Sequence, residues 1–220
     1  KDMLWEALDD TAAGYPMGFT AENIAKKYKI TRAEADTFAE LSFNRALAAV
    51  KSGFFSDEII PLNSTVFERG DLKARKVYLP KGVKDFSSDE HVRPTTMENL
   101  GKLSPVFEKV GILTAGNCSG IVDGAASVIV ANSDQLKHTT KKPLSKIIAG
   151  ACCGVDPREM GLGPVPAIRL LLELTGLTID DIGLFEINEA FSAQLIGCER
   201  ELKIDREKLN VNGGAIAIWH

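Results

Sequence analysis

Apolar and polar positions alternate with a helical period between residues 31 and 53. Thr31 and Glu34 have the spacing of a capping box, in which each side chain bonds the backbone N–H of the other residue. Gly53 is a typical helix stop. The pattern therefore predicts a helix from Thr31 through about Lys51. The buried face of this helix would carry the apolar residues Ala35, Phe38, Ala39, Ala46, Ala49 and Val50.

The chain from Phe54 to Lys109 lacks such regularity. Short apolar pieces, among them Ile59–Ile60 and Val77–Leu79, are separated by glycine, proline, serine and charged residues. This pattern indicates an irregular excursion with few long elements. A glycine-rich stretch, GILTAGNCSGIVDGA, follows it, and we expect the boundary between an irregular front and a regular back near residues 110 to 125.

Helix and strand signals alternate in the back of the chain. Strands are predicted at the apolar, largely β-branched runs Ser127–Val130, Lys146–Ala151 and Leu184–Ile187. Helices are predicted to begin at Ser133, to span Pro166–Leu174 before a stop at Gly176, and to run from Phe191 to about Leu202, with a short helical turn between Thr178 and Asp181. Such alternation indicates α/β layering, so the predicted fold class is α/β.

The composition is that of a globular protein, with 45% hydrophobic and 25% charged residues in a chain of 220. A net charge of -4 without long Lys/Arg runs argues against a nucleic-acid partner and against an anionic membrane surface. No apolar run reaches the ~18 residues of a membrane span, and the start, KDMLWEALDD, is unlike a signal peptide. We therefore expect a small-molecule substrate, no nucleic acid, no membrane span and no secretion.

The cysteines argue against a zinc site and for a reducing compartment. They show no CxxC spacing, and the histidines His91, His138 and His220 are widely separated. Cys152 and Cys153 are adjacent and flanked by small apolar residues, as reduced core cysteines often are. We expect reduced thiols in an intracellular protein, with two disulfides as the alternative.

Two segments invite a chemical interpretation, and each has a plainer structural alternative. Asn188–Phe191 follow a predicted strand and open a helix whose first N–H groups are unpaired, so they could receive a carbonyl or a water. The same residue types also serve simply as helix caps. Gly116–Gly120 are small and polar enough for an extended ligand to lie against the backbone, although such residues also build tight turns.

A third candidate is NVNGGAIA, at residues 210 to 217, with His220 just beyond it. Paired glycines permit positive φ or a close backbone approach, and the histidine could act as a general base. The alternative is an exposed chain end or the start of a purification tag.

Six segments of the chain resemble the thiolase family of acyl-CoA acyltransferases, which make or cleave 3-ketoacyl-CoA. YPMGFTAENIAKKYKITRAEAD is similar to the family's M-G-x-T-A-E-N segment, and KSGFFSDEIIP to the helix end that follows it. The motifs TAGNCSGIVDGAAS, GLGPVPAIRLLLE, FEINEAFSAQ and NVNGGAIAI then occur in the family's order and nearly its spacing. Because the match runs over almost the whole chain, chance resemblance is hard to defend.

The resemblance implies a five-layer αβαβα fold made of two similar halves, with a loop domain that holds coenzyme A inserted in the first half. On that basis residues 1 to 118 are most of the CoA-binding loop domain. Residues 119 to 142 return to the N-terminal half, and residues 143 to 220 open the C-terminal half. The chain would then supply only part of each half, and alone it would expose large apolar surfaces.

The resemblance also implies roles for individual residues. Asn188 corresponds to the asparagine that holds a water in the oxyanion hole, and His220 to the catalytic histidine. Ala190 and Phe191 would line the acyl pocket, and Arg93 would approach the nucleotide end of CoA. The CoA-lining residues implied along pantetheine are Met17, Leu103, Phe107, Ala115, Ser119 and Gly120.

The chain departs from the family at two positions and lacks its nucleophile. Pro16 stands where many members have a histidine, and Trp219 stands where they have the glycine of G-H-P. The family's acyl-accepting cysteine is expected upstream of every matched segment, and its second catalytic cysteine beyond residue 220. Cys118 occupies a position usually filled by Ala or Ser, so we do not expect it to be the nucleophile. This chain alone is therefore expected to be inactive.

The expected function is acyl-CoA C-acyl transfer by a ping-pong mechanism, either thiolytic cleavage of 3-ketoacyl-CoA or Claisen condensation of acetyl-CoA. CoA and its thioesters would be substrates, with no permanent cofactor and no metal. The resemblance further implies a homodimer or homotetramer, and a cytoplasmic location with an organellar matrix as the alternative. Two other functions stay open: a non-catalytic thiolase-like chain that binds acyl-CoA or acts as a scaffold, and an unrelated α/β enzyme or binding module.

Overall fold

The structure is a computed structural model that describes residues 3–218 and 220. Its α-helices are α1 (Met3–Ala7), α2 (Met17–Tyr28), α3 (Arg32–Ser52), α4 (Met97–Gly101), α5 (Ser133–Leu136), α6 (Pro164–Thr175) and α7 (Ser192–Leu202). The strands are β1 (Asp9–Asp10), β2 (Tyr15–Pro16), β3 (Leu62–Asn63), β4 (Thr65–Arg69), β5 (Leu72–Val77) and β6 (Asp85–Phe86). Short 3₁₀ helices lie at Pro157–Leu162, Ile179–Asp181 and Arg206–Lys208.

Helix α3 confirms the prediction made from its period and caps. The Thr31 side chain accepts from the backbone N–H of Glu34, the Glu34 carboxylate accepts from that of Thr31, and Gly53 ends the helix with a φ of +74°. The predicted apolar face is buried except at Val50, which is 47% exposed because it lies at the outer end of the helix. This 21-residue helix is the longest among the described residues.

The hydrophobic core lies where α2 and α3 pack against α7. Ile24 of α2, Phe38 and Phe43 of α3, and Leu195 and Ile196 of α7 are almost completely buried. Helices α2 and α7 approach closely at Gly197, where an added Cβ would lie 2.7 Å from the Ile24 Cγ2 atom. Burial of these side chains is the main stabilising term of the helical layer.

The segment from Phe54 to Lys109 is irregular, as predicted. It contains two antiparallel pairs, β4 with β5 and β3 with β6, and the short helix α4. The β4–β5 hairpin pairs Thr65 with Val77, and its register shifts between Phe67 and Arg69. A third pair, β1 with β2, precedes α2.

Three helical predictions in the back of the chain are confirmed. Helix α5 begins at Ser133, α6 covers the predicted range and ends at Gly176 with a φ of +69°, and α7 begins one residue after Phe191. Thr178 and Asp181 form the expected capped turn, in which the Asp181 carboxylate accepts from the Thr178 backbone N–H at 2.8 Å.

The three strand predictions are wrong for the described chain. Residues 127–130 and 146–151 belong to no strand, and Val128, Ile129 and Val130 are 85%, 96% and 72% exposed. At Leu184–Ile187 one parallel bridge, from Phe185 to Leu209, replaces the strand. The reason is that a strand needs a neighbour for its N–H and C=O groups, and no other described segment pairs with the first two runs.

For the same reason, the expectation that the adjacent residues Cys152 and Cys153 lie in the core is wrong. Cys152 and Cys153 are exposed, because the predicted strand just before them, residues 146–151, has no neighbouring strand, while Cys198 is buried in α7. All four cysteines are free thiols. None of the described helices is long and apolar enough to cross a membrane.

Candidate active site

Two residues singled out from the sequence, Asn188 and His220, lie against each other. The Asn188 Nδ2 atom is 2.9 Å from His220 Nε2 and 3.4 Å from Nδ1. Both residues are exposed and 32 positions apart in the chain. The fold therefore brings an amide and an imidazole together on one surface. Trp219, one of the two departures noted in the sequence, lies outside the described residues.

The carboxylate of Glu189, the residue that follows Asn188, is buried. Glu189 is 1% exposed, and its oxygens accept hydrogen bonds from Ser42 Oγ at 2.6 Å, from Asn210 Nδ2 at 2.9 Å and from the backbone N–H of Ile216 at 3.2 Å. The Ser42 hydroxyl also accepts from the Gly214 N–H at 3.1 Å, so its own proton goes to Glu189. These donors come from α3, from Asn210 and from the turn that leads to His220.

Asn210 joins the two turns that carry Asn188 and His220. Its side chain accepts from the Ile187 N–H at 2.9 Å and donates to the Ile187 carbonyl at 2.8 Å. The residue is buried and has a φ of +47°, a conformation that asparagine tolerates better than most residues. Its backbone N–H bonds the Phe185 carbonyl at 2.9 Å. The side chain thus completes the pairing that the Phe185–Leu209 bridge begins.

Helix α3 packs against the turn at residues 213 and 214. Gly213 has a φ of +80°, and a Cβ there would lie 2.7 Å from the Ala46 Cβ and from the Ser42 carbonyl oxygen. Only glycine fits at this point. Arg45 extends the support, because its guanidinium donates to the carbonyls of Leu209 at 2.7 Å and Arg206 at 3.0 Å.

Burial raises the pKa of two acidic residues near the site. The pKa of Glu189 is raised, mainly because the carboxylate is removed from water, and the donors from Asn210, Ser42 and Ile216 oppose this effect. The pKa of Glu186 is also raised, by burial and then by the nearby Glu189 charge. The bonds to Glu189 therefore offset the cost of burying it beside the site.

The Gly116–Gly120 turn lies along the start of α7. The Ser119 N–H donates to the Ala190 carbonyl and the Ser192 N–H donates to the Asn117 carbonyl, both at 3.0 Å, and Cys118 forms an antiparallel bridge with Phe191. The buried Asn117 anchors the turn by donating to the Asp36 carboxylate of α3 at 2.8 Å. The glycine-rich turn is thus fixed to both α3 and α7.

The predicted CoA-lining residues fall into two groups. Phe107 packs edge to face against Phe191, with ring centroids 5.9 Å apart, and covers Gly18, the neighbour of Met17 on α2. Leu103 lies beside Gly116, where an added Cβ would be 2.6 Å from the Leu103 Cδ1 atom. Ala115 is exposed on the same turn, while Ser119 and Gly120 are partly buried. The structure therefore brings Phe107, Ala190, Phe191 and Ser119 together and places Leu103 and Ala115 at the other end of the turn.

The Cys118 thiol is poorly suited to nucleophilic attack. Its pKa is raised to about 12, first by burial and then by the charge of Glu22. Cys198 has its pKa raised to about 12 by burial as well. Because the thiolate is the reactive form, neither cysteine would be activated at neutral pH. This agrees with the expectation that Cys118 is not the nucleophile.

The sequence interpretation missed Ser42, and it placed Glu189 and Asn210 in candidate segments without giving them a supporting role. One signal was present, since Ser42 lies four positions from both Phe38 and Ala46 and so interrupts an apolar helical face. A polar residue on such a face needs a buried partner. No group of His, Cys, Asp and Glu side chains that could hold a metal ion occurs among residues 3–218 and 220.

Comparison with known proteins identifies the family. Residues 1–134 match the family model of the thiolase N-terminal domain, and residues 141–220 match that of the thiolase C-terminal domain. The chain belongs to the thiolase family. It is 49% identical to an acetyl-CoA acetyltransferase of Syntrophomonas wolfei and 45% identical to human mitochondrial 3-ketoacyl-CoA thiolase, each over 221 residues.

Solved thiolase structures have the same fold. The crystal structure of human mitochondrial 3-ketoacyl-CoA thiolase matches with a TM-score of 0.88 and 45% identity, over 99% of this chain and 52% of that one. The Bacillus anthracis acetyl-CoA acetyltransferase matches with a TM-score of 0.88 and 42% identity, over 100% and 53%. The expected fold class, part of the thiolase fold, is confirmed.

The chain spans about half the length of the curated thiolases it matches, 52% of each of the two relatives named. The match covers 100% of this chain in both cases.

Replacing Glu189 by glutamine should destabilise the protein by about 1–3 kcal/mol, because an amide N–H₂ would then face one of the buried donors. The free energy of unfolding from urea titration measures this effect. Glu173→Gln is the matched control, since Glu173 is exposed on α6, and should change it by less than about 0.5 kcal/mol. Equal stabilities of Glu189→Gln and the unmodified protein would contradict the role given to the network.

Gly213→Ala tests the close approach of the turn to α3. Gly14 has a nearly identical φ of +78°, but a Cβ added there would have no other atom within 4 Å, so Gly14→Ala isolates the backbone strain of about 1–2 kcal/mol. Gly213→Ala should cost a further 1–3 kcal/mol or so, roughly the penalty of overpacking. Urea unfolding of both variants gives the difference, and equal losses would show that α3 does not constrain the turn.

The raised pKa of Cys118 predicts an unusual pH profile for its alkylation. A thiol with a pKa of about 12 should react with iodoacetamide roughly tenfold faster for each pH unit from 7 to 10, without levelling off, because its thiolate fraction keeps growing. An ordinary thiol levels off near its pKa of about 8.5. Peptide-resolved mass spectrometry measures the rate at Cys118, and a plateau below pH 9 would refute the assignment.

Proposed function

We propose that the protein to which this chain belongs is an acyl-CoA C-acyltransferase. It would cleave 3-ketoacyl-CoA by thiolysis, or condense acetyl-CoA in the Claisen direction, through an acyl-enzyme formed in a ping-pong sequence. The observation that carries the proposal is the pairing of Asn188 with His220 at 2.9 Å. The substrates named for its relatives, acetyl-CoA and 3-ketoacyl-CoA, support it.

The pair would act on the oxygen of the substrate thioester. In the proposed reaction the Asn188 amide, through a bound water, and the His220 ring N–H both face that oxygen as it gains negative charge. Donors fixed in advance stabilise such a charge without reorganising during the reaction. The Glu189 network would supply that fixation, because its bonds reach Ile216 just before His220 and its backbone adjoins Asn188.

The pantetheine arm of CoA would lie along the Gly116–Gly120 turn. Small residues at Ala115, Ser119 and Gly120 leave the backbone accessible, and Phe107, Met17 and Leu103 would provide apolar contacts. Ala190 and Phe191 would line the acyl pocket, next to the Phe107 ring. In this scheme residues 1–118 form most of the CoA-binding loop domain, residues 119–142 return to the N-terminal half, and residues 143–220 open the C-terminal half.

The nucleophilic thiolate is proposed to come from a cysteine other than the four in this chain. The raised pKa values of Cys118 and Cys198 support this assignment. On this proposal, these 220 residues alone should not form an acyl-enzyme. The active protein is further proposed to be a homodimer or homotetramer in an intracellular compartment, the cytoplasm or an organellar matrix.

The deciding experiment is an acyl-transfer assay of the intact polypeptide, meaning the whole protein to which this chain belongs. Incubation with acetyl-CoA should add one acetyl group to a cysteine, detected by mass spectrometry, and 3-ketoacyl-CoA should be consumed when free CoA is added. Binding of CoA without acylation and without turnover would reject the proposal and leave a non-catalytic acyl-CoA-binding protein.

Asn188→Ala should lower kcat by about 10²–10³ with little change in KM, because the donor acts mainly in the transition state. The matched control is Asn99→Ala, on the exposed face of α4, which should leave both constants unchanged. Steady-state thiolysis kinetics of the intact polypeptide measure the effect. A rise in KM with an unchanged kcat would contradict the oxyanion role and assign Asn188 to ground-state binding instead.

A further inference from the structure

His91 lies outside every role assigned so far, yet its ring is in contact with the turn that leads to His220. Its Nε2 atom is 3.0 Å from the carbonyl oxygen of Ile216, which is 125 residues away in the chain. The imidazole is partly buried and lies 6.0 Å from the Phe43 ring of α3, centroid to centroid. The segment between β6 and α4 thus contacts the turn that leads to His220 through the His91 side chain.

The contacts of the ring determine its tautomer. A carbonyl oxygen can only accept, so Nε2 carries the hydrogen and donates to Ile216. The other nitrogen, Nδ1, is 3.3 Å from the Arg93 guanidinium, which can only donate. His91 is therefore neutral, with its hydrogen on Nε2, and both ring nitrogens have a suitable partner.

Arg93 and α3 hold the ring in this orientation. The Arg93 guanidinium also donates to the His91 carbonyl at 3.0 Å and lies 5.1 Å above the Phe43 ring. Burial and the Arg93 charge lower the pKa of His91, while the bond to Ile216 and the Asp89 charge oppose them. Protonation would bring a positive ring against Arg93, so the neutral tautomer is the stable one.

The ring also fills the space beside Gly120. A Cβ at Gly120 would lie 2.8 Å from the His91 Cε1 atom, so this glycine is required for the ring to reach Ile216. Gly120 belongs to the turn proposed to line CoA, and Ile216 precedes His220 by four residues. His91 is therefore in contact with both parts of the site at once.

We propose that His91 is a positioning residue. Its bond to the Ile216 carbonyl holds the turn that leads to His220 in place. Its contact with Gly120 ties that turn to the turn proposed to line CoA. The catalytic part of this role rests on the proposed acyl transfer. The tether itself does not, because it is a bond within the folded chain.

The test compares three variants of the intact polypeptide. His91→Phe keeps a flat ring but removes the donor, and His91→Gln places an amide N–H near the original Nε2 position. His138→Phe is the matched control, since His138 is exposed just beyond α5. Hydrogen exchange of the peptide covering residues 211–218 reports the tether, and steady-state kinetics report its effect on catalysis.

In His91→Phe, exchange in this peptide should become about tenfold faster and kcat should fall about tenfold with KM nearly unchanged, as expected for one lost hydrogen bond. Peptides from α2 should exchange as before. His91→Gln should recover most of both effects, and His138→Phe should show neither. A protein damaged generally would instead exchange faster in α2 as well, and Gln would not restore it.

The two proposals can fail separately. Unchanged exchange at residues 211–218 in His91→Phe would overturn the tether, whatever the activity. Faster exchange with an unchanged kcat would overturn its catalytic role. If the unmodified protein transfers no acyl group, the proposed function fails, and the exchange experiment still decides whether His91 holds the turn.

Discussion

The candidate site depends on one buried interaction, the set of hydrogen bonds around the Glu189 carboxylate. A carboxylate removed from water is costly unless donors satisfy its oxygens, and here the donors are Ser42 of α3, Asn210 and the backbone of Ile216. Ser42 lies on α3 and the other two donors lie within residues 210–216, so the requirement fixes α3, the segment of Glu189 and residues 210–216 relative to one another. Asn188 and His220, which meet at 2.9 Å, lie on or just beyond two of these segments.

This constraint explains why α3, the longest helix in the described part of the chain, belongs to the candidate site although it carries neither Asn188 nor His220. Helix α3 places Ser42 under Glu189, Ala46 against Gly213 and Asp36 under Asn117. It therefore packs against both the turn that leads to His220 and the glycine-rich turn. The proposed division between loop domain and N-terminal half, at residues 118 and 119, falls within these contacts. On either side of this division, Asn117 bonds Ser192, the first residue of α7, and Ser119 bonds Ala190, two residues before it.

Several exposed apolar runs lack strand partners among the described residues. Val128, Ile129, Ile147 and Ile148 are strand-forming residues with most of their surface exposed. A central strand is stabilised by neighbours on both edges and by layers on both faces. The thiolases that match this chain are about twice as long, and the fold match covers about half of them. These runs therefore have strand sequences without the partners that would make them strands.

The sequence by itself determined the elements whose signals are local. The capping box and the glycine stop were sufficient for α3, and similar signals were sufficient for α6, α7 and the turn at Thr178, because these bonds join residues three to five positions apart. The family motifs likewise singled out Asn188 and His220. Tertiary structure decided the rest. It left the predicted strands at residues 127–130 and 146–151 unpaired, since a ladder requires a distant partner. It also recruited Ser42, Asn210 and His91, because the partners that a buried polar group requires are fixed by proximity in space, which no local pattern records.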